Sequence, residues 1–320
     1  MKDLAVLQAL FQKEIDALQL GLAPEKLYDP MHYIMNLGGK RLRPILALMG
    51  AGLYGDPSKA MPQAMAIELF HNFSLIHDDI MDAAPLRRGE DTVHIKWDAN
   101  IGILSGDGML VMAYKYVAQC SPELLPEVLA TFSKTALEVC EGQQMDMDFE
   151  ILDQVSLDTY IKMIQFKTSV LLGCAMKIGA LVGGATKDDA EALYEFALLL
   201  GTSFQIKDDY LDVYGDPKKF GKQVGGDILS NKKTLLWIEA KKRAELQRIE
   251  FSEYTAMPAN EDKVESFQEL YKILDVDVFA KSEIDRYYQL SLEALDKVSL
   301  DAQALAPLKE FAQWLHGRES

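Results

Sequence analysis

Apolar residues recur at spacings of three and four along nearly the whole chain, which is the period of an amphipathic α-helix. The first such stripe comprises Leu4, Leu7, Leu10, Phe11, Ile15 and Leu18. Alternating runs of β-branched residues, the usual signal of strands, are nearly absent, so the pattern predicts an all-α protein. The predicted helices lie near residues 4–18, 26–36, 41–54, 58–84, 103–119, 122–147, 157–182, 187–213, 232–246, 262–273, 277–297 and 301–315.

Glycine and proline punctuate the chain between these segments, at Gly38-Gly39, residues 55–57, Gly183-Gly184 and residues 215–226. Proline is sparse, at 11 residues in 320, and no Ser/Gly/Pro-rich linker interrupts the sequence. No internal repeat of fixed period is found. We therefore expect a single domain over residues 1–320.

The charge of the chain excludes one class of partner. Lys and Arg number 33 and Asp and Glu 49, a net charge of −16, so nucleic acid is not expected to bind. The most apolar stretch, residues 168–185, contains Lys177 and several glycines, and we expect neither a membrane span nor a signal peptide. Cys120, Cys140 and Cys174 show no CxxC spacing and are predicted to be small buried residues of a reduced, cytoplasmic protein.

One acidic pattern occurs twice on predicted helices, once as DDIMD and once as DDYLD. The first cluster contains Asp78, Asp79 and Asp82, and the second contains Asp208, Asp209 and Asp212. At about 100° per residue, the first and last Asp of each cluster lie only about 40° apart on the helix. A lone cluster of this kind in an acidic protein is a solvated surface about as often as it is a functional site. Both of these lie on otherwise apolar helices, where like carboxylates repel and a cation would stabilise them. Carboxylates are the hard oxygen ligands of Mg²⁺, so the two clusters predict a clamp for one diphosphate through several ions.

Several basic residues accompany the two acidic clusters in the sequence. Residues 38–44, GGKRLRP, put three cations at the start of a predicted helix, where backbone N–H groups already favour an anion. Further basic residues are Arg87, Arg88, Lys167, Lys222 and Lys232. Each is an ordinary surface charge when taken alone, but beside acidic clusters they predict a site for metal and phosphate. The glycine-rich residues 215–227 are predicted to form a lid, with a plain surface loop as the alternative.

In this order the motifs resemble those of the trans-isoprenyl diphosphate synthases, the polyprenyl synthetase family. The motifs between Gly38 and Thr234 are GGKRLRP, HNFSLIHDDIMD, RRG, KT, FQIKDDYLD, GKQVGGD and NKKT. The resemblance implies an isoprenoid synthase-like fold, a large helical bundle around a deep central cavity with both acidic clusters near its mouth. It also implies a homodimer. The chain after about residue 240 carries no such motif.

The resemblance further implies a head-to-tail prenyl transfer between isopentenyl diphosphate and an allylic diphosphate. The allylic diphosphate would lie on several Mg²⁺ ions, three with substrate bound. The implied metal ligands are Asp78, Asp82 and Asp208, supported by Asp79, Asp209 and Asp212. The implied contacts to the allylic diphosphate are Arg87, Lys167 and Lys222, with Lys232 joining on closure. Isopentenyl diphosphate would contact Lys40, Arg43, His71 and Arg88, with Gly39 allowing a close backbone approach. Gln205 and the backbone of Lys167 and Thr168 would stabilise the allylic cation.

The resemblance implies that bulky residues just before the first acidic cluster limit the length of the product. The helical wheel places Ser74 nearest the carboxylate face and favours Phe70 over Phe73 as the floor of the pocket. The role of Phe73, five residues before Asp78, is implied by the resemblance alone. By the same resemblance, the first acidic cluster lacks the two-residue insertion typical of bacterial farnesyl synthases and the double aromatic of eukaryotic ones. The resemblance therefore favours a twenty-carbon product, geranylgeranyl diphosphate, with fifteen-carbon farnesyl diphosphate close behind.

Three other readings compete with this one. A class I terpene cyclase would share the fold, but typically has a different second metal motif and needs no GGKRLRP pocket. A regulatory subunit would be expected to have eroded acidic motifs, whereas both are intact here. A cation-binding scaffold leaves the ordered basic motifs unexplained.

Overall fold

The computed structural model describes residues 2–215 and 225–318, and it consists of helices joined by short loops. The helices of the first half are α1 (Lys2–Asp16), α2 (Glu25–Asn36), α3 (Leu42–Gly52), α4 (Met61–Met81), α5 (Val93–Lys96), α6 (Ala99–Val117) and α7 (Leu125–Ile151). Those of the second half are α8 (Leu157–Ile164), α9 (Val170–Gly183), α10 (Lys187–Tyr214), α11 (Gly226–Leu229), α12 (Leu235–Gln247), α13 (Phe251–Thr255), α14 (Glu261–Ile273), α15 (Val276–Leu295) and α16 (Ala302–His316).

Strand structure in the described part of the chain is limited to one antiparallel hairpin. Its strands are β1 (Leu86–Arg87) and β2 (Glu90–Asp91), with Leu86 opposite Asp91 and Arg87 opposite Glu90. The predicted all-α class is therefore confirmed.

The chain divides into two compact units. The first comprises Met1–Thr135, Leu171–Tyr194 and Val298–Pro307, and the second comprises Ala136–Val170, Glu195–Lys297 and Leu308–Ser320. Each unit has buried apolar residues of its own. The organisation as one domain around a central cavity stays a prediction.

Helix α4 is the central element of the first unit, where it packs against α3 and α6. A 3₁₀ turn over Pro57–Ala60 precedes it, and Pro62 stands in its first turn, where a missing N–H is tolerated. Several of its apolar residues, among them Ile67 and Ile76, are completely buried. Because α4 ends at Met81, the first acidic cluster lies at its C-terminus, where the helix dipole disfavours anions.

The second unit has an aromatic-rich core formed by α8, α10, α12, α14 and α15. Tyr160, Phe267 and Tyr271 are among its fully buried side chains. Thr234, the last residue of the NKKT motif, caps α12 by accepting the N–H of Trp237 at 3.5 Å. This cap fixes where the motif ends and the helix begins.

Residues Leu157–Gly183 are helical throughout, but the turn Gln165–Ser169 between α8 and α9 is a π-turn. By length and composition this segment is apolar enough to cross a membrane, yet 67% of its most apolar window is buried inside the protein. Its apolar surface is thus used for packing.

The cysteines differ in part from the expectation. Cys174 is buried and Cys120 partly buried, but Cys140 is exposed on α7, so its predicted burial is wrong. None of the three forms a disulfide in the described structure. The helical wheel explains the error, since Cys140 shares its face of α7 with Leu137 and Gln144, which are both exposed.

Candidate active site

The first acidic cluster separates its carboxylates into two kinds. Asp79 is buried and forms a two-pronged ion pair with Arg87, from Nε to Oδ2 at 2.7 Å and from Nη2 to Oδ1 at 2.6 Å. Asp78 is partly exposed, and Asp82, the C-cap of α4, is exposed. The middle residue therefore holds an arginine, while the first and last residues reach the surface.

The hairpin β1–β2 presents two arginines for different contacts. Arg88 and Gly89 form its two-residue loop, and both have positive φ, 56° and 85°, as the tight turns of hairpins require. Arg87 precedes the turn and pairs with Asp79. Arg88, within the turn, donates to the carbonyl of Gly38.

Gly39 lets the backbone approach Arg88. Its φ is +125°, and a Cβ on this residue would lie 2.8 Å from Nη2 of Arg88. Any side chain at Gly39 would therefore push the Arg88 guanidinium away. The predicted approach of isopentenyl diphosphate to the Gly39 backbone stays a prediction. Lys40, the next residue, is exposed.

A basic pocket forms around His71 of α4. Arg43, in the first turn of α3, lies with Nη1 3.3 Å from Nε2 of His71. The pKa of His71 is well below its ordinary value, first because the imidazole is enclosed and then because Arg43, Arg88, Arg87 and Arg41 repel a further positive charge. Burial is also the main cause that lowers the pKa of Arg43 and that of Arg88. The pocket thus combines a neutral imidazole with crowded guanidinium groups, an arrangement suited to an anion.

The His71 imidazole is expected to stay neutral near pH 6 and to gain basicity when a polyanion enters the pocket. An anion would offset the arginine charges that depress its pKa, so this pKa should rise on binding. Histidine NMR resonances followed against pH, with and without inorganic diphosphate, measure the effect, and His71→Gln assigns the signal. A His71 resonance that titrates near pH ~6.5 in the ligand-free protein would contradict the described electrostatics.

Arg41 has a structural partner that the sequence motifs did not indicate. It forms a buried ion pair with Glu68, the two side chains being 7% and 1% exposed, and it also donates to the carbonyl of Met35. Asn72 donates to Oε1 of the same Glu68 at 2.9 Å. The position of Glu68 within the apolar part of α4 could have predicted this ion pair, because a charged side chain is buried only when it is paired.

The second acidic cluster buries its middle residue in the same way. Tyr160 donates its hydroxyl to Oδ2 of Asp209 at 2.5 Å, and Gln205 donates through Nε2 to Oδ1 at 3.3 Å. Burial raises the pKa of Asp209 to about 7, and the nearby charge of Asp227 adds to this, while Lys232 opposes it. The charged form of Asp209 is therefore disfavoured in this setting, and added positive charge would stabilise it.

The outer carboxylates of this cluster have other contacts. Asp212 accepts the N–H of Asp227 through Oδ2 at 2.9 Å, and its backbone carbonyl accepts the N–H of Gly225 at 2.6 Å. Asp208 is 33% exposed and lies 4.0 Å from Nη1 of Arg318. Asp212 thus ties the end of α10 to the start of α11.

Of the remaining residues of the predicted site, Lys167 and Thr168 lie in the π-turn Gln165–Ser169, and Lys232 lies just before α12. Lys167 pairs through Nζ with Oδ2 of Asp146 at 2.5 Å, and Thr168 is the next residue of the turn. Lys232 donates its N–H to the carbonyl of Asp227 at 2.8 Å. Lys222, with most of the predicted lid, lies outside the described residues.

The residues predicted to set product length form an aromatic cluster in the first unit. The ring of Phe70 lies 5.4 Å from that of Phe73 and 5.5 Å from that of Phe132. Tyr114 stacks edge-on against Phe132 at 5.1 Å. Ser74 is partly buried and donates its hydroxyl to the carbonyl of His71 at 2.9 Å. Phe70 and Phe73 thus pack together in one aromatic cluster, and their role in setting product length stays a prediction.

The donor sets at the ends of α4 and α10 fit Mg²⁺. Within residues 2–215 and 225–318, no three His, Cys, Asp or Glu side chains converge into a ready metal cage. Mg²⁺ commonly uses one or two carboxylates and completes its shell with water and substrate phosphates. Asp78 with Asp82, and Asp208 with Asp212, are pairs of this kind, each one helical turn apart at a helix C-terminus.

Comparison with solved structures identifies the class of protein. A crystal structure of a geranylgeranyl pyrophosphate synthase superposes with a TM-score of 0.92 at 43% sequence identity and covers 99% of both chains. The fold is therefore the all-α isoprenoid synthase fold, as predicted.

Comparison of sequences then gives the family. The polyprenyl synthetase profile matches residues 24–274. The geranylgeranyl diphosphate synthase of Methanosarcina mazei is 43% identical over 229 residues, 71% of each chain. The geranylfarnesyl diphosphate synthase of Natronomonas pharaonis is 37% identical over 237 residues, 68% of this chain and 70% of its own. The chain belongs to the polyprenyl synthetase family and is a prenyl transferase, which confirms the predicted resemblance and enzyme class.

Proposed function

We propose that the protein condenses isopentenyl diphosphate with an allylic diphosphate to give linear all-trans geranylgeranyl diphosphate. The observation that carries this proposal is the basic pocket of Arg43, His71 and Arg88. A prenyl transferase of this type needs a second anion site besides the one at its metal ligands. A cyclase acts on one diphosphate and has no use for such a pocket.

The allylic diphosphate would be bound by Arg87, which Asp79 holds, and by Lys167, which Asp146 holds. Lys222 and Lys232 would add positive charge to the same group. Bound Mg²⁺, carried by the two acidic clusters, would neutralise the charge that develops on this leaving group. Asp79 and Asp209 would support the outer carboxylates rather than replace them.

The isopentenyl diphosphate would be bound by Lys40, Arg43 and Arg88, while neutral His71 offers a hydrogen bond. The allylic carbon–oxygen bond breaks, and the double bond of isopentenyl diphosphate attacks the resulting cation. A proton then leaves the new chain for the released diphosphate, so no side chain has to act as the general base. The side chain of Gln205 donates through Nε2 to Asp209. This hydrogen bond leaves the amide oxygen of Gln205 to stabilise the cation, together with the backbone of Lys167 and Thr168.

The twenty-carbon product is supported by the aromatic cluster of Phe70, Phe73 and Phe132. Packed rings of this size would stop a growing chain before very long products form. Relatives with twenty-carbon and with twenty-five-carbon names both resemble this chain, so the number of elongation steps is the finer question. Farnesyl diphosphate is the shorter alternative.

A homodimer is supported by an unpartnered apolar surface on α6, where Ile103, Leu104 and Val111 are exposed. Leu104 and Val111 are seven residues apart and share one face of the helix. We propose a second copy of this chain as the occupant of that face, and light scattering measures the mass in solution. A cytoplasmic location remains part of the same proposal.

A product assay tests the proposed function. Isopentenyl diphosphate is supplied with dimethylallyl, geranyl or farnesyl diphosphate, with Mg²⁺ or with a chelator, and the dephosphorylated products are sized. We expect Mg²⁺-dependent geranylgeraniol as the main product with each primer. A cyclic hydrocarbon from an allylic diphosphate alone would make the protein a cyclase. No turnover by folded protein would make it a regulatory subunit.

A further inference from the structure

One acidic residue beside the predicted site belongs to neither acidic cluster. Asp146 of α7 pairs with Lys167 through Oδ2 and Nζ at 2.5 Å. The two side chains are only 17% and 26% exposed, so the pair is better shielded from solvent than a surface ion pair. Removing one partner would leave the other charge poorly solvated.

The same face of α7 also contacts the backbone at Lys167. Gly142 lies four residues before Asp146, one helical turn away. A Cβ on Gly142 would collide with the backbone nitrogen of Lys167 and lie 2.6 Å from the carbonyl carbon of Phe166. Only a glycine lets α7 approach this part of the chain so closely.

The part of the chain that α7 approaches is the π-turn Gln165–Ser169. A π-turn inserts one extra residue into a helix and is found mostly where function requires it. The turn changes the direction of the side chains that follow, so the position of Lys167 depends on it. Gly142 thus accommodates the backbone of Lys167, and Asp146 holds its ammonium group.

We infer that Gly142 and Asp146 are positioning residues that hold Lys167 for the diphosphate of the allylic substrate. The inference rests on the proposed function, because it gives Lys167 a substrate to bind. Asp146 acts through Lys167 and does not touch the reacting atoms. Its carboxylate also keeps the ammonium group in place before substrate arrives, which limits the ordering required on binding.

A double-mutant cycle tests this role. Asp146→Asn is expected to lower kcat/KM for the allylic diphosphate by about tenfold, the loss of one charged hydrogen bond. In the Lys167→Gln background the same change should lower it less than about twofold, since two residues that act as one unit are not additive. The KM for isopentenyl diphosphate should stay unchanged in both backgrounds. Asp146→Glu should restore part of the lost activity.

The matched control is Asp148→Asn, which removes an exposed carboxylate two residues away that accepts from Gln144 at 2.8 Å. It should leave both kinetic constants unchanged. Gly142→Ala should weaken hydrogen-exchange protection in residues 165–169 and lower kcat/KM for the allylic substrate. The hydrogen-exchange measurement does not depend on catalysis.

The outcomes are distinct. Equal effects of Asp146→Asn in the wild-type and Lys167→Gln backgrounds, or no effect in either, would overturn the positioning role while the product assay still stands. A wild-type protein that forms no prenyl product would instead overturn the proposed function, and the role given to Lys167 with it. Unchanged exchange in Gly142→Ala would remove Gly142 from the proposal.

Discussion

Asp78→Ala and Asp208→Ala are each expected to abolish prenyl transfer while leaving the helical circular dichroism intact. Each change removes a partly exposed carboxylate near the C-terminus of α4 or α10, where the donor pairs fit Mg²⁺. Charge stabilisation by a metal is worth several kcal/mol, so kcat should fall by about 1,000-fold or more. Product formation with saturating substrates and Mg²⁺ measures this loss.

The controls remove carboxylates elsewhere on the protein that are more exposed than Asp78 and Asp208. Asp107→Ala on α6 and Asp188→Ala on α10 delete exposed acidic side chains outside both clusters. They change the net charge by the same amount and should leave the rate within about twofold, since an exposed charge contributes little. Near wild-type activity in Asp78→Ala or Asp208→Ala would end the case for carboxylate-held metal.

Phe73→Ala and Phe70→Ala are expected to lengthen the product by one or more five-carbon units. Both rings are buried and lie 5.4 Å apart, so removing either leaves space in the aromatic cluster that also contains Phe132. Ser74→Phe should act in the opposite direction, because the helical wheel places this position nearest the carboxylates, where a ring would stop the chain earlier. Chromatography and mass spectrometry of the dephosphorylated alcohols measure the chain lengths.

This experiment has to distinguish a change in product chain length from a loss of protein stability. Phe→Ala in a core costs about 3–5 kcal/mol, a large share of the stability of a folded protein. Phe149→Ala removes a buried ring of the second unit and is the matched control, with lower stability and an unchanged product. Unchanged length in Phe70→Ala, in Phe73→Ala and in the double variant would exclude these residues as the floor.

Much of the fold could be predicted because long amphipathic helices leave a clear period. The predicted segment 187–213 agrees with α10, Lys187–Tyr214, and 26–36 agrees with α2, Glu25–Asn36. The short elements α5, α11 and α13 span only four or five residues each, too few for a helical period to show. The hairpin β1–β2 is equally short and depends on a turn rather than on alternating residues.

The candidate site could be predicted only as far as its motifs are local. Asp78 and Asp82 are visible as a pair because helical spacing places them together. Glu68, Asp146 and Tyr160 were missed because their partners are distant in sequence and meet only through tertiary packing. Helical geometry also favoured Phe70 over Phe73, whereas the two rings are in contact in the structure.

The fork between Arg87 and Asp79 bears on which substitutions the site tolerates. The guanidinium uses Nε and Nη2 on the carboxylate, so one edge is engaged and the plane of the group is fixed. A lysine at this position keeps the charge but has neither the second donor nor the plane. Asp79 fixes the orientation of Arg87 as the protein folds. The Arg87 side chain therefore loses little further rotational freedom when a diphosphate binds. Position 87 should therefore accept no other residue, whereas Lys40, which is exposed and follows a glycine, should tolerate arginine.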